Sequence, residues 1–139
     1  MKLIYLDTSA VLKRYIEERE SAECEEILSR FEHFATSNIG VTETIINLRR
    51  KLGVRESEMA VRLFEADVAS YNIVDFSNGI GREAVIVSSG QNLATLDSIH
   101  IATALRFKSQ DITFLTYDKA QAQAAKRTGL KTLGVLTSG

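Results

Sequence analysis

Thr95-Leu96-Asp97-Ser98-Ile99-His100-Ile101-Ala102-Thr103-Ala104-Leu105-Arg106-Phe107, wound as a helix at about 100° per residue, carries apolar side chains on almost every side. A helix that is apolar all round is buried. The same winding projects Asp97 between Ile101 and Ala104, where an ionised carboxylate costs several kcal/mol unless something positive meets it. The rest of the chain must therefore supply a basic side chain or a metal ion. What it supplies in matching contexts is more acids.

Upstream, Lys2-Leu3-Ile4-Tyr5-Leu6 is short, apolar and β-prone, as expected of a strand buried on both faces of a parallel sheet. It stops at Asp7, and Thr8 or Ser9 is expected to cap the helix begun by Ala10 and running through Ile16. Further helices are expected over residues 21–31, 39–52 and 56–70, the last carrying Met59, Leu63 and Ala66 with Val61 and Phe64 beside them. Strands are expected over 34–37 and 72–76. Residues 83–89 contain the β-branched Val85-Ile86-Val87, yet length and flanks favour a helix. Beyond the opening stretch, 112–116 reads as a strand, Asp118 as the cap of a helix over 119–127 that Gly129 ends, and 132–136 as a fifth strand. Strands alternating with helices predict an α/β sandwich with a mainly parallel five-stranded sheet in one domain spanning 1–139.

Composition narrows the function. With 139 residues the chain can bury a real core, and no apolar run approaches the ~20 residues of a membrane span. The first run ends at Asp7, too early for a signal peptide, so a cytoplasmic protein is expected. A single cysteine, Cys24, excludes an internal disulfide and reads as a small half-buried side chain. Net charge is −1, so any nucleic-acid contact has to be local or carried by bound cations.

Asp7 and Asp118 share a context, since each follows an apolar strand and precedes a helix. Such positions lie at the carboxyl edge of a parallel sheet, where ligands bind. Either alone is explained as a helix cap; the pair together with Asp97 is not. Glu43 lies beside Ile39 and Ile46 on its helix and borders the apolar face. Two unit charges ~4 Å apart at an effective dielectric near 20 repel by about 4 kcal/mol, so four converging carboxylates require a cation. Oxygen ligands without His or Cys select hard ions, Mg²⁺ or Mn²⁺. A metal-activated water is a nucleophile suited to phosphodiesters, and the cation neutralises charge growing on the phosphate.

Ile4-Tyr5-Leu6-Asp7-Thr8-Ser9-Ala10, Ser37 through Glu43, Leu96-Asp97-Ser98-Ile99-His100-Ile101-Ala102-Thr103-Ala104-Leu105 and Leu115-Thr116-Tyr117-Asp118 resemble, in order, the successive motifs of PIN domains, and among them the VapC-type ribonuclease toxins of prokaryotic toxin–antitoxin pairs. The resemblance implies a three-layer α/β/α sandwich, an acidic Mg²⁺ or Mn²⁺ site and endoribonuclease activity on RNA. It also implies a homodimer, held by an antitoxin protein that wraps the toxin and blocks its groove. Residue by residue, it assigns Asp7 and Asp97 to direct metal coordination, Asp118 to direct or water-mediated coordination, and Glu43 to positioning the attacking water. Thr116 matches a small hydroxyl near the metal, and Thr8 is placed for similar supporting work.

Other signals carry less. Gly79-Ile80-Gly81-Arg82-Glu83-Ala84 fits a dinucleotide fingerprint, but the acid expected some 20 residues on is Asp97, inside a helix. An Asp-x-Asp phosphatase nucleophile at Asp7 is weakened by Ser9 in the second acidic position. His100 reads as a core or dimer-contact histidine rather than a ligand. Arg49, Arg50 and Lys51 are candidate RNA contacts, as are Lys13 and Arg14, although the helix dipole explains the first three equally well. The rival to a nuclease is a catalytically inactive PIN-like module that holds RNA or a protein; a phosphohydrolase for small substrates stands third.

Overall fold

A computed structural model describes residues 2–135. Five strands, β1 (Leu3–Leu6), β2 (His33–Ser37), β3 (Asn72–Val74), β4 (Thr113–Thr116) and β5 (Lys131–Gly134), form one sheet in the order β3-β2-β1-β4-β5. Every pairing is parallel, and the central β1 sets Tyr5 against Ala35 on one side and Phe114 on the other. Seven helices connect them: α1 (Thr8–Leu12), α2 (Ser21–Leu28), α3 (Asn38–Lys51), α4 (Val54–Val68), α5 (Asn78–Ser88), α6 (Thr95–Ala104) and α7 (Lys119–Arg127). Leu105–Gln110 continues α6 as a tighter 3-10 helix. Among the described residues no helix is long and apolar enough to cross a membrane.

The continuous apolar run of β1 is explained by its two faces. Ile4 and Leu6 join the core formed with α1, α2 and α4, while Leu3 and Tyr5 join the opposite core with α6 and α7. A parallel sheet covered on both sides demands such a strand. Residues 98–104 of α6 are buried throughout, as the all-round apolar pattern predicts, and Ala84, Ile99 and Ala102 tie α5 to it.

Five local expectations change. Asp7, not Thr8 or Ser9, caps α1: its carboxylate accepts from Ala10 N at 2.9 Å, because β1 ends one residue before the turn and leaves Asp7 extended. α5 starts at Asn78 under a Ser77 cap, so Gly79 and Gly81 lie inside a helix and form no phosphate-cradling loop. The fifth strand covers Lys131–Gly134, and the expected Leu136 lies outside the described residues. α4 turns the other way: Met59 and Leu63 are 66% and 59% exposed and Ala66 is exposed, whereas Ser57, Ala60, Val61 and Phe64 face the core. Two helical stripes compete on α4, and the one holding the large aromatic ring wins, with Phe64 fully buried edge-on to Tyr15 at 5.6 Å. Cys24 is fully buried rather than half-buried, and burial pushes its thiol up to about 11.

Truncating the ring should expose which stripe carries the energy. Phe64→Ala is expected to cost about 3–5 kcal/mol in denaturant unfolding. Leu63→Lys is expected to change stability by less than about 0.5 kcal/mol.

Candidate active site

The site lies at the carboxyl ends of β1 and β4, which pair directly in parallel. Asp7 is 3% exposed, and three groups of the protein meet its carboxylate. Oδ1 accepts from Ser9 Oγ (2.7 Å) and Ala10 N (2.9 Å); Oδ2 lies 2.8 Å from Thr116 Oγ1. Burial raises the Asp7 carboxyl above the usual range, opposed by the nearby His100 and by these hydrogen bonds. Ser9 Oγ also accepts from Tyr117 N at 2.9 Å, which ties the β4–α7 turn to α1.

Asp118 caps α7, its Oδ1 accepting from Gln121 N at 2.8 Å, as expected from the sequence. Asp97 sits in the first turn of α6 and is half-buried, rather than deep among Ile101 and Ala104 as the helical winding suggested. The reason is that α6 begins only two residues earlier, so its acid emerges at the helix mouth. Among the described residues its carboxylate accepts no hydrogen bond or ion pair. Its pKa is raised to about 6 by burial and by the charges of Asp118, Asp7 and Glu43, against a lowering by His100. The other three acids singled out in the sequence thus all bear on Asp97.

Glu43 projects from α3, half-buried beside a cavity of ≈ 450 Å³ lined by Ile39, Thr42, Ile46, Arg50 and Leu96. Thr8 Oγ1 donates to its Oε1, and His100 Nε2 lies 3.2 Å from the same oxygen. Burial works to raise the Glu43 carboxyl, but the hydrogen bonds from His100 and Thr8 outweigh it and hold the group below the usual range.

Of the other expected residues, Arg50 lines the cavity, while Arg49 and Lys51 are exposed in the last turn of α3. Lys13 and Arg14 follow α1 and are committed to the protein, Lys13 to Glu18 (3.0 Å) and Arg14 to Glu25 (3.0 Å) and the Tyr71 hydroxyl (2.7 Å). Sequence reasoning missed Gln121. It is fully buried, its Nε2 donates to the Asp97 carbonyl (3.2 Å), and its Oε1 lies 2.8 Å from Thr116 Oγ1, so it joins β4, α6 and α7. The signal was available, because Asp118-Lys119-Ala120-Gln121 has the spacing of a reciprocal helix cap.

The family profile of the PIN domain matches residues 4–127. The chain belongs to the PIN-domain family. This PIN domain is 28% identical to Ribonuclease VapC47 of Mycobacterium tuberculosis over 137 residues, 94% of this chain and 95% of that protein. Its fold is similar to that of FitAcB from Neisseria gonorrhoeae, with a TM-score of 0.74 at 18% identity, covering 94% of this chain and 96% of that one. It is also similar to a toxin–antitoxin complex from Klebsiella pneumoniae, with a TM-score of 0.63 at 16% identity, covering 83% and 86% of the two chains.

Among the described residues no three His, Cys, Asp or Glu side chains are packed closely enough to hold a metal ion by protein atoms alone. The donor set nevertheless fits a hard cation. Asp97 is a carboxylate without a protein donor among the described residues, under the charge of three other acids, and Mg²⁺ takes one or two carboxylates directly while keeping several waters.

Asp97 gives a direct test of this electrostatic account. Its pKa is about 6 in the folded protein, above the roughly 3.9 of an unfolded chain, so the fold binds the extra proton between those values and loses stability as pH rises through about 6. Asp97→Asn is therefore expected to raise the melting temperature of the metal-free protein at pH 7.5, with the gain shrinking at pH 5, as read by thermal denaturation in EDTA.

Proposed function

We propose that this PIN domain is a Mg²⁺- or Mn²⁺-dependent endoribonuclease, the toxin of a type II toxin–antitoxin pair. The observation that carries the reading is Asp97 at the mouth of α6, with the charges of Asp118, Asp7 and Glu43 bearing on it and no protein donor on its carboxylate among the described residues. In this reading Asp7, Asp97 and Asp118 hold the cation, with Thr116 and Thr8 keeping Asp7 and Glu43 in place. When bound, the cation neutralises charge on the scissile phosphate and acidifies water. Glu43 positions the attacking water: Thr8 and His100 occupy Oε1, and Oε2 has no protein partner among the described residues. Its lowered pKa keeps it ionised, so Oε2 is an acceptor able to hold and orient that water.

Arg50, beside Glu43 in the cavity, is placed to meet an RNA phosphate, with Arg49 and Lys51 continuing the basic end of α3. The name of VapC47 supports ribonuclease chemistry, and the Klebsiella complex supports an antitoxin partner. Such a partner in the cytoplasm would cover the apolar flank of the cavity at Ile39, Ile46 and Leu96. The exposed Val85 and Ile86 of α5 support a homodimer.

Incubation of the purified protein with RNA in Mn²⁺ or in EDTA tests the reading. Cleavage is expected only with metal, and Asp97→Asn is expected to lower it by more than about 100-fold. In thermal melts, millimolar Mn²⁺ is expected to stabilise the parent and not the variant. Undiminished cleavage by Asp97→Asn, or binding of RNA without cleavage, overturns it.

A further inference from the structure

His100 is 3% exposed, and each of its ring nitrogens has a partner on a different element. Nδ1 lies 2.7 Å from the Tyr5 hydroxyl on β1. Nε2 lies 3.2 Å from Glu43 Oε1 on α3 and 3.2 Å from Thr8 Oγ1 on α1. An ionised carboxylate only accepts, so the proton between Nε2 and Glu43 belongs to the ring. Thr8 spends its hydroxyl proton on the same Glu43 oxygen, so it too can only accept from Nε2. With Nε2 protonated, a neutral imidazole has a bare Nδ1, and the buried Tyr5 hydroxyl is its donor. The order of donation runs Tyr5 to His100 to Glu43.

The packing around the ring is built for this arrangement. His100 is three residues after Asp97 on α6, so the two side chains leave the helix on neighbouring faces, one to the acid cluster and one to Glu43. Gly40 in α3 supplies the space: a methyl group there would stand 2.8 Å from His100 Cε1 and 3.2 Å from Thr36 Oγ1. Glycine inside a helix costs stability relative to alanine, and at this position the imidazole occupies the room it leaves. Tyr5 is fixed in turn by stacking on Phe114, ring centroids 5.5 Å apart.

We propose that His100, oriented by Tyr5 and seated against Gly40, is a positioning residue that fixes the rotation of the Glu43 carboxylate so that Oε1 is bound by the protein and Oε2 alone faces the reaction. It touches neither substrate nor cation and acts through Glu43. The inference rests on the reading of Glu43 as the residue that positions the attacking water, and goes beyond it in assigning roles to Tyr5, Gly40 and His100, which that reading leaves without one.

Two measurements test it. In metal-free protein, nitrogen-15 NMR of the imidazole is expected to show a bare Nδ1 and a protonated Nε2 for His100, with the pattern lost in Tyr5→Phe; a protonated Nδ1 with a bare Nε2 overturns the proposal whatever the activity. In RNA cleavage with Mn²⁺, His100→Leu is expected to lower kcat about 10- to 100-fold, with KM and the Mn²⁺ concentration for half-activity within about twofold of the parent. His100→Gln, whose amide can donate to the same oxygen, is expected to recover most of the loss, and Tyr5→Phe, which preserves the ring packing, to show a smaller fall of the same kind. In a Glu43→Gln background, His100→Leu should cost nothing further. An unaltered kcat in folded His100→Leu, or a full additional loss in the Glu43→Gln background, overturns the positioning role while leaving the nuclease reading intact. A parent that cleaves no RNA, with Asp97→Asn no different from it, overturns the nuclease reading and this role with it.

Discussion

The constraint on which the molecule turns is that a carboxylate, Asp7, is buried at the end of the most buried strand. β1 lies in the centre of the sheet with Ile4, Tyr5 and Leu6 wholly shielded from water, and the next residue is charged. Burying that charge is tolerable only because the backbone N–H of Ala10 and the hydroxyls of Ser9 and Thr116 are already aimed at it. The strand-to-helix turn, the β4–α7 turn and the start of α7 are thereby drawn to one point. Asp118 is brought to the same edge because β4 pairs directly with β1.

The two helices that deliver the remaining acids do so differently. α6 brings Asp97 from its first turn, where the residue keeps partial contact with water and no compensating donor. α3 brings Glu43 from its second turn, and there the charge is met by Thr8 and His100. Neighbouring carboxylates consequently move apart in acidity, Asp97 upward and Glu43 downward. Separation of this kind lets one carboxylate stay unsatisfied while another stays ionised.

Much of the architecture was legible because it depends on short-range patterns. Asp7 and Asp118 follow apolar runs and precede helical ones, and parallel topology makes those junctions neighbours. The α4 stripe was misread because Met59/Leu63 and Val61/Phe64 are both helical spacings, and only the shape of the core chooses between them. The role of His100 was illegible for another reason: its partners Tyr5, Thr8 and Glu43 come from three distant segments, and nothing local marks a buried imidazole as a hydrogen-bond relay. Gly40 gave no warning either, since a lone helical glycine acquires meaning only from the ring packed against it.

The pairing of β1 with β4 joins parts of the chain that leave the ribosome far apart in time. Thr116 and Asp7 are separated by 109 positions, so the acid pocket has no counterpart in a nascent chain lacking the fourth strand. Until β4 has been made, Asp7 lacks the Thr116 hydroxyl that lies against its Oδ2, and α1 through α6 all precede that strand. Assembly of the charged edge is therefore among the final events of maturation, and any activity housed there is withheld until translation of the domain is nearly finished.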